Sequence, residues 1–199
     1  ITDCSFCAFY RKEGDEEAYV LPFATIAEKI TEIIALGGKQ ILLQGGHNID
    51  LKIDYFEDLF QRIKEQFDIH LHALSPPEIV HTAKISKLTI TDTIRRLSKS
   101  GLDSIPGGGG EILVDHVRQK ISPHKCSTEE WLDVMATAHG MNIPTTATMM
   151  FGHIETNEDR VEHLRRLRDQ QDKTKGFTAF IPWPFQPGRT DLSFDLGIT

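Results

Sequence analysis

Basic residues, cysteines and long apolar runs are all scarce in this sequence, and each shortage narrows what the chain can be. Its 199 residues carry 22 Lys and Arg against 29 Asp and Glu, a formal net charge of −7. That balance leaves no broad basic surface for phosphate backbones, so no nucleic-acid partner is expected. No apolar stretch approaches the roughly 20 residues that span a bilayer, and neither an initiator Met nor a signal-peptide pattern opens the sequence. No membrane partner is expected either. The three cysteines cannot all pair, so a secreted disulfide framework does not fit and a reducing, cytoplasmic setting is expected. With 39% hydrophobic residues, the length suits one domain, or part of a larger one, with its own core.

What is present is an alternation of short apolar runs with longer amphipathic ones, the pattern of a parallel α/β protein. Thr25 to Leu36 places Ile26, Ile30, Ile33 and Ile34 at helical spacing and stops at Gly37-Gly38. Ile41 to Gln44 is an expected strand, followed by a helix capped by Asp54 with Phe56, Leu59, Phe60, Ile63 and Phe67 on its apolar face. Further strands are expected at Ile69–Leu74, Leu102–Ile105, Thr145–Met150 and Phe177–Ile181. Helices are expected at Glu78–Ala83, at Thr91–Ser100 with a cap at or near Thr91, from about Glu111, at Ser127–His139 behind a capping box, and at Asp159–Gln170. Strand order is not legible here, so a doubly wound sheet and a (β/α) barrel both stay open. Polar or glycine-rich clusters at the C-terminal ends of successive strands (Gly45-Gly46-His47, Ser75, Gly107 to Glu111, Gly152-His153) lean towards the barrel, where such ends share one mouth.

The densest chemistry is at the start. Cys4-Ser5-Phe6-Cys7 alone reads as a redox dithiol, half of a zinc site, or part of an iron–sulfur site. A thioredoxin-like pair wants a preceding strand and a zinc site a second pair, whereas the remaining cysteine, Cys126, stands alone at a helix start. Ile1-Thr2-Asp3 leaves room for a further cysteine immediately before Ile1, which would complete CxxxCxxC. His70 and His72, two apart on one strand, share a face. They are interior histidines or substrate contacts, and a metal role lacks an evident third ligand. His47 and His153 lie at strand ends, and Met149-Met150 suits packing. Pro182 to Pro187 is a rigid turn, or a wall on which Trp183 meets a substrate. Gly107 to Gly110 before Glu111 offers backbone N–H groups to an anionic or ribose group, or simply a tight turn.

Cys4 to Arg11 resembles the cluster loop of radical S-adenosylmethionine (SAM) enzymes, with the aromatic Phe6 before the last cysteine. Leu43–Asn48, Ile69–Glu78, Asp103–Gly109, Thr146–His153 and Phe177–Pro187 extend the resemblance to the futalosine-pathway group of menaquinone biosynthesis. Within that group, Gly45-Gly46-His47-Asn48 and Ser75-Pro76-Pro77-Glu78 resemble the member that cyclises dehypoxanthine futalosine. Aminofutalosine and deazaflavin-cofactor synthases are its siblings.

The resemblance implies a partial TIM-type (β/α) barrel, with residues 1–199 one fragment of a single larger barrel domain. A first strand and a C-terminal part would lie outside it, and the fragment alone would be inactive. It implies a [4Fe–4S] cluster on Cys4, Cys7 and the cysteine before Ile1, with S-adenosyl-L-methionine as second cofactor. Phe6 would lie near the nucleoside, and Gly45 and Gly46 would receive the methionyl ammonium. Substrate contacts would come from His47, His70, His72 and Trp183, and acid–base chemistry from Glu78, Glu111 or His153. The implied reaction runs through a 5′-deoxyadenosyl radical to an intramolecular C–C bond. The expected partners are a small-molecule substrate and an electron donor such as flavodoxin or ferredoxin. A redox or metal-binding CxxC module without radical chemistry is the competing reading.

Overall fold

The computed structural model describes residues 4–12, 14–188 and 190–192. The elements run α1 (Phe23–Ala35), β1 (Gln40–Leu43), α2 (Ile53–Gln66), β2 (His70–Ala73), α3 (Pro76–Ser86), α4 (Ile90–Lys99), α5 (Asp115–Ile121), α6 (Thr128–Gly140), β3 (Thr145–Phe151), α7 (Asn157–Thr174) and β4 (Phe177–Pro184). The protein is therefore α/β with short parallel strands. β1 pairs with β2 and β3 with β4, both in parallel. Two parallel bridges, His72 to Ser104 and Ile105 to Thr145, link the pairs, so neighbours follow chain order.

Those bridges correct one expectation. Leu102–Ile105 does not form a strand, because the Asp103 carboxylate accepts the Leu71 N–H at 2.7 Å, a place a backbone carbonyl fills in a ladder. Pro106, lacking an N–H, then ends any continuation. β4 runs past the expected Ile181 through Pro184, so the first part of the proline segment is strand rather than turn. Proline is tolerated there because β4 is an edge strand in its sheet.

Helix starts follow local chemistry. Ser127 and Glu130 close the expected capping box on α6, Thr156 and Asp159 close another on α7, and Thr89 rather than Thr91 caps α4. The Asp54 cap is not formed. Lys52 occupies the position without a side-chain bond, and Asp54 lies in the first turn, where its charge suits the helix dipole. The helix expected from Glu111 begins four residues later, at Asp115.

Six helices bury one stripe each against a single core. Ile30, Phe60, Ile79, Ile94, Trp131 and Leu167 meet Ile41, Leu71, Ala73 and Ala147 from the strands and Ile105 from the bridging segment. Because side chains alternate along a strand, Leu42, His70 and His72 fall on the opposite face. A smaller cluster of Ile112, Val117, Ile121, Met149, Met150 and Phe185 has Phe6 packed against it.

Candidate cofactor and substrate site

The strands end in the polar segments noted above. After β2, Leu74 takes a positive φ of 55°, and Pro76 and Pro77 at the first helical positions start α3 at once. Glu78 consequently sits on the first turn of α3 and points back. Its Oε2 accepts from Ser75 N–H at 2.8 Å and Ser75 Oγ at 2.5 Å, and its Oε1 accepts from Gly45 N–H at 2.7 Å. One carboxylate thus fastens the loop after β1 to the loop after β2. Burial pushes the Glu78 carboxyl above its ordinary range, against the pull of these bonds.

Gly45 and Gly46 are open where a side chain would be. A Cβ at Gly46 would meet nothing within 4 Å, and at Gly45 only Glu78 Oε1, at 3.9 Å. A ligand can approach this backbone closely. Gly107 to Gly110 is different. A Cβ on any of these glycines would press on Thr146, Gln44, Pro77 or Thr148, so the run is packed tightly within the fold. Its carbonyls are also engaged: Gly107 O accepts from Thr148 Oγ1, Gly108 O from Trp131 Nε1 and Gly109 O from Arg118 Nη1.

The cysteine loop is pinned through Ser5. Its N–H and hydroxyl donate to Ile121 O at 3.0 and 3.3 Å, and its carbonyl accepts from Leu192 N–H at 2.7 Å. Cys7 N–H donates to Cys4 O at 2.9 Å, turning the chain so that Cys4 is buried and Cys7 half-buried. The Lys125 ammonium lies 5.0 Å from the centre of the Phe6 ring and donates to Glu111 Oε1 at 3.0 Å. Burial opposes the Lys125 charge, yet Glu111 and then Cys4 hold its pKa above the ordinary range. Glu111 Oε2 lies 3.8 Å from Arg118 and accepts no hydrogen bond. Sequence reasoning passed over Lys125: it stands in a short polar loop before the α6 cap, with nothing in its neighbours to mark it as buried.

The histidines divide by setting. His47 stacks on His81, 4.7 Å between ring centres, and burial, followed by the nearby His81 and Lys125, lowers its pKa to about 3. His70 and His72 share Ser104 Oγ, at 2.7 and 2.6 Å. That hydroxyl has one proton to give, so when it donates to one ring it accepts from the other. Burial, then His70, lowers the pKa of His72. His153 is enclosed, with Nε2 3.1 Å from Met150 O and Nδ1 3.2 Å from Glu155. Trp183 is exposed and lies on β4 opposite Met150. A cleft of about 700 Å³ is lined by Arg11, Ile30, Leu43, Gly45, His47 and Glu78 among others. The structure thus brings His47, Gly45 and Glu78 to one cleft and Cys4, Phe6, Lys125 and Glu111 to another cluster. His70 and His72 pair separately, and His153 and Trp183 join none of these groups.

Among the described residues no three His, Cys, Asp or Glu side chains converge as a metal set. Cys4 and Cys7 supply two soft thiol donors, which suit iron–sulfur ligation, beside the half-buried Lys125 cation, which favours negative charge. The expected third cysteine lies outside the described residues, as do Ile1 to Asp3. The residues present therefore fit a thiolate-bound cluster as part of its ligand set, and the open glycines leave room for a ligand in the cleft after β1. No helix among the described residues is long and apolar enough to cross a membrane.

Known proteins resemble this chain along nearly all of it. It is 46% identical to cyclic dehypoxanthine futalosine synthase of Halalkalibacterium halodurans, over 96% of this chain and 52% of that one. It is 46% identical to 5-amino-6-(D-ribitylamino)uracil--L-tyrosine 4-hydroxyphenyl transferase of Methanothermobacter thermautotrophicus, over 92% and 50%. Aminodeoxyfutalosine synthase of Thermus thermophilus is 42% identical over 98% and 52%. The chain spans about half the length of these curated relatives. The model of the Radical SAM superfamily matches residues 2–167, from the cysteine loop into α7, and the chain belongs to that superfamily.

Proposed function

We propose that residues 1–199 form part of the core of an enzyme that cyclises dehypoxanthine futalosine in menaquinone biosynthesis. The observation that carries this reading is the Glu78 bridge. It joins Gly45-Gly46-His47-Asn48 to Ser75-Pro76-Pro77-Glu78, the two segments on which the choice of this activity rests, into one site. Parallel neighbours in chain order, with six helices sharing one core on one face, support an arc of a (β/α) barrel over a doubly wound sheet, which carries helices on both faces.

Cys4 and Cys7 would ligate a [4Fe–4S] cluster, Phe6 would lie beside the nucleoside, and Gly45 and Gly46 would receive the amino-acid end of S-adenosyl-L-methionine. Together these cofactors supply a carbon-centred radical after one-electron reduction by a donor of the flavodoxin or ferredoxin class. The chain's own part is placement and exclusion. Glu78 holds the glycine loop open towards the cleft, and the neutral His47 offers a ring nitrogen to substrate without adding charge. His70 and His72, held by Ser104, and Trp183 on β4 would present polar and aromatic contacts. Glu78, Glu111 and His153 are the candidates to take up a proton, and of these Glu111 has an oxygen, Oε2, that accepts no hydrogen bond. The cytoplasm is the compartment where such a donor and reduced thiols coexist.

The test is anaerobic reconstitution of the full-length protein with iron and sulfide, then incubation with dehypoxanthine futalosine, S-adenosyl-L-methionine and a reductant. Cyclised product with 5′-deoxyadenosine is expected. A reconstituted protein that leaves this substrate unchanged but turns over the substrates of either sibling synthase would refute the assignment.

A further inference from the structure

Beneath the cysteine loop, Arg118 and Glu111 are buried and Lys125 is half-buried, with side-chain exposures of 3%, 4% and 16%. Two cations against one carboxylate leave one positive charge in excess, and uncompensated buried charge is costly. The two cations are not equivalent. Arg118 spends its donors on the carbonyls of Cys126 and Gly109 and is fixed to the fold. Lys125 donates to Glu111 and lies over Phe6, the residue between Cys4 and the loop's last turn. Its charge is felt by Glu111, Cys4, Arg118, Cys126, His47 and Glu78, so it stands where the cysteine loop meets the strand-end segments.

We propose that Lys125 is a positioning residue for the cysteine loop. Held by Glu111 and set against the Phe6 ring, its ammonium fixes the loop and supplies the positive field that favours adding an electron to a thiolate-bound cluster. This inference rests on the cluster assignment above. Thiolate-ligated clusters carry net negative charge, and their potentials respond to nearby charge and to solvent exposure. A largely desolvated cation raises the potential, and its carboxylate partner tempers that effect.

The experiment is a redox titration, followed by electron paramagnetic resonance, of the cluster in the full-length reconstituted protein and its Lys125→Met, Lys125→Arg and Glu111→Gln variants. At an ambient potential equal to the wild-type midpoint, Lys125→Met is expected to lower the reduced-to-oxidised ratio about tenfold, equivalent to about 59 mV for one electron. Lys125→Arg should stay near wild type. Glu111→Gln, which keeps the cation and removes its partner, should raise the ratio. Opposite signs for the two neutralising variants are the signature of a field, since a purely structural role would move both the same way. If Lys125→Met does not fold, Glu111→Gln still decides: an unchanged or lowered ratio overturns the proposal. A wild-type protein that takes up no cluster would overturn the cluster assignment and this inference together. An intact cluster with ratios unmoved in the variants would overturn this inference alone.

Discussion

Replacing Glu78 by Gln changes one atom and tests whether a single carboxylate joins two strand-end loops. The carboxylate accepts three hydrogen bonds, from Gly45 N–H, Ser75 N–H and Ser75 Oγ. A glutamine can keep its carbonyl towards Gly45, but its NH₂ then faces the two Ser75 donors. The hydroxyl can rotate away, whereas the buried Ser75 N–H is left without an acceptor, at about 1–3 kcal/mol. Relief of the buried charge, visible in the raised carboxyl pKa, offsets part of this. The net expectation is about 1 kcal/mol of local destabilisation, or roughly a fivefold loss of protection in amide hydrogen exchange at Ser75. Glu78→Ala, which removes every acceptor, should extend the loss to Gly45. Binding of S-adenosyl-L-methionine should weaken in step, because the glycine loop loses its anchor. Unchanged protection at both amides in Glu78→Ala would refute the reasoning.

Stability should fall on acidification. Burial lowers His47 to about 3 and His163 to about 4 from an unfolded value near 6.5. The native state therefore binds fewer protons than the unfolded one, and stability present above about pH 6.5 is lost towards pH 4, by up to about 1.4 kcal/mol per unit for each histidine. Urea midpoints at pH 7, 6 and 5 measure the slope, which His47→Gln should reduce. Gly109 has φ +72° and a Cβ there would overlap the Pro77 ring, so Gly109→Ala should cost about 2–4 kcal/mol, seen as a lowered Tm. Cys126 is buried and its thiol is pushed up to about 12, so Cys126→Ala should leave the reconstituted cluster absorbance intact. Cys4→Ser or Cys7→Ser should abolish that absorbance.

Much of the fold was legible because its signals are local. Helical spacing from Ile26 to Ile34, the Ser127–Glu130 capping box and the apolar runs at Ile41 and Thr145 each depend on residues within one or two turns. Where the reading missed, a distant partner intervened. The Asp103 carboxylate took a ladder position on Leu71, 32 residues away, and dissolved a strand. An open sheet edge let Pro182 and Pro184 extend β4, although proline discourages strand assignment from sequence.

The site divides along the same line. The sequence by itself determined the Cys4–Cys7 spacing, the paired glycines after β1 and the shared face of His70 and His72, since spacing and side-chain alternation are properties of the chain. Tertiary structure alone decided that Glu78 reaches Gly45, 33 residues away, and that one Ser104 hydroxyl serves both histidines. It also decided that Lys125 is held against Glu111 and the Phe6 ring and half-buried there. Burial, unlike spacing, is set by whatever packs around a residue. It is burial that gives an ordinary lysine or glutamate electrostatic weight beside the cysteine loop.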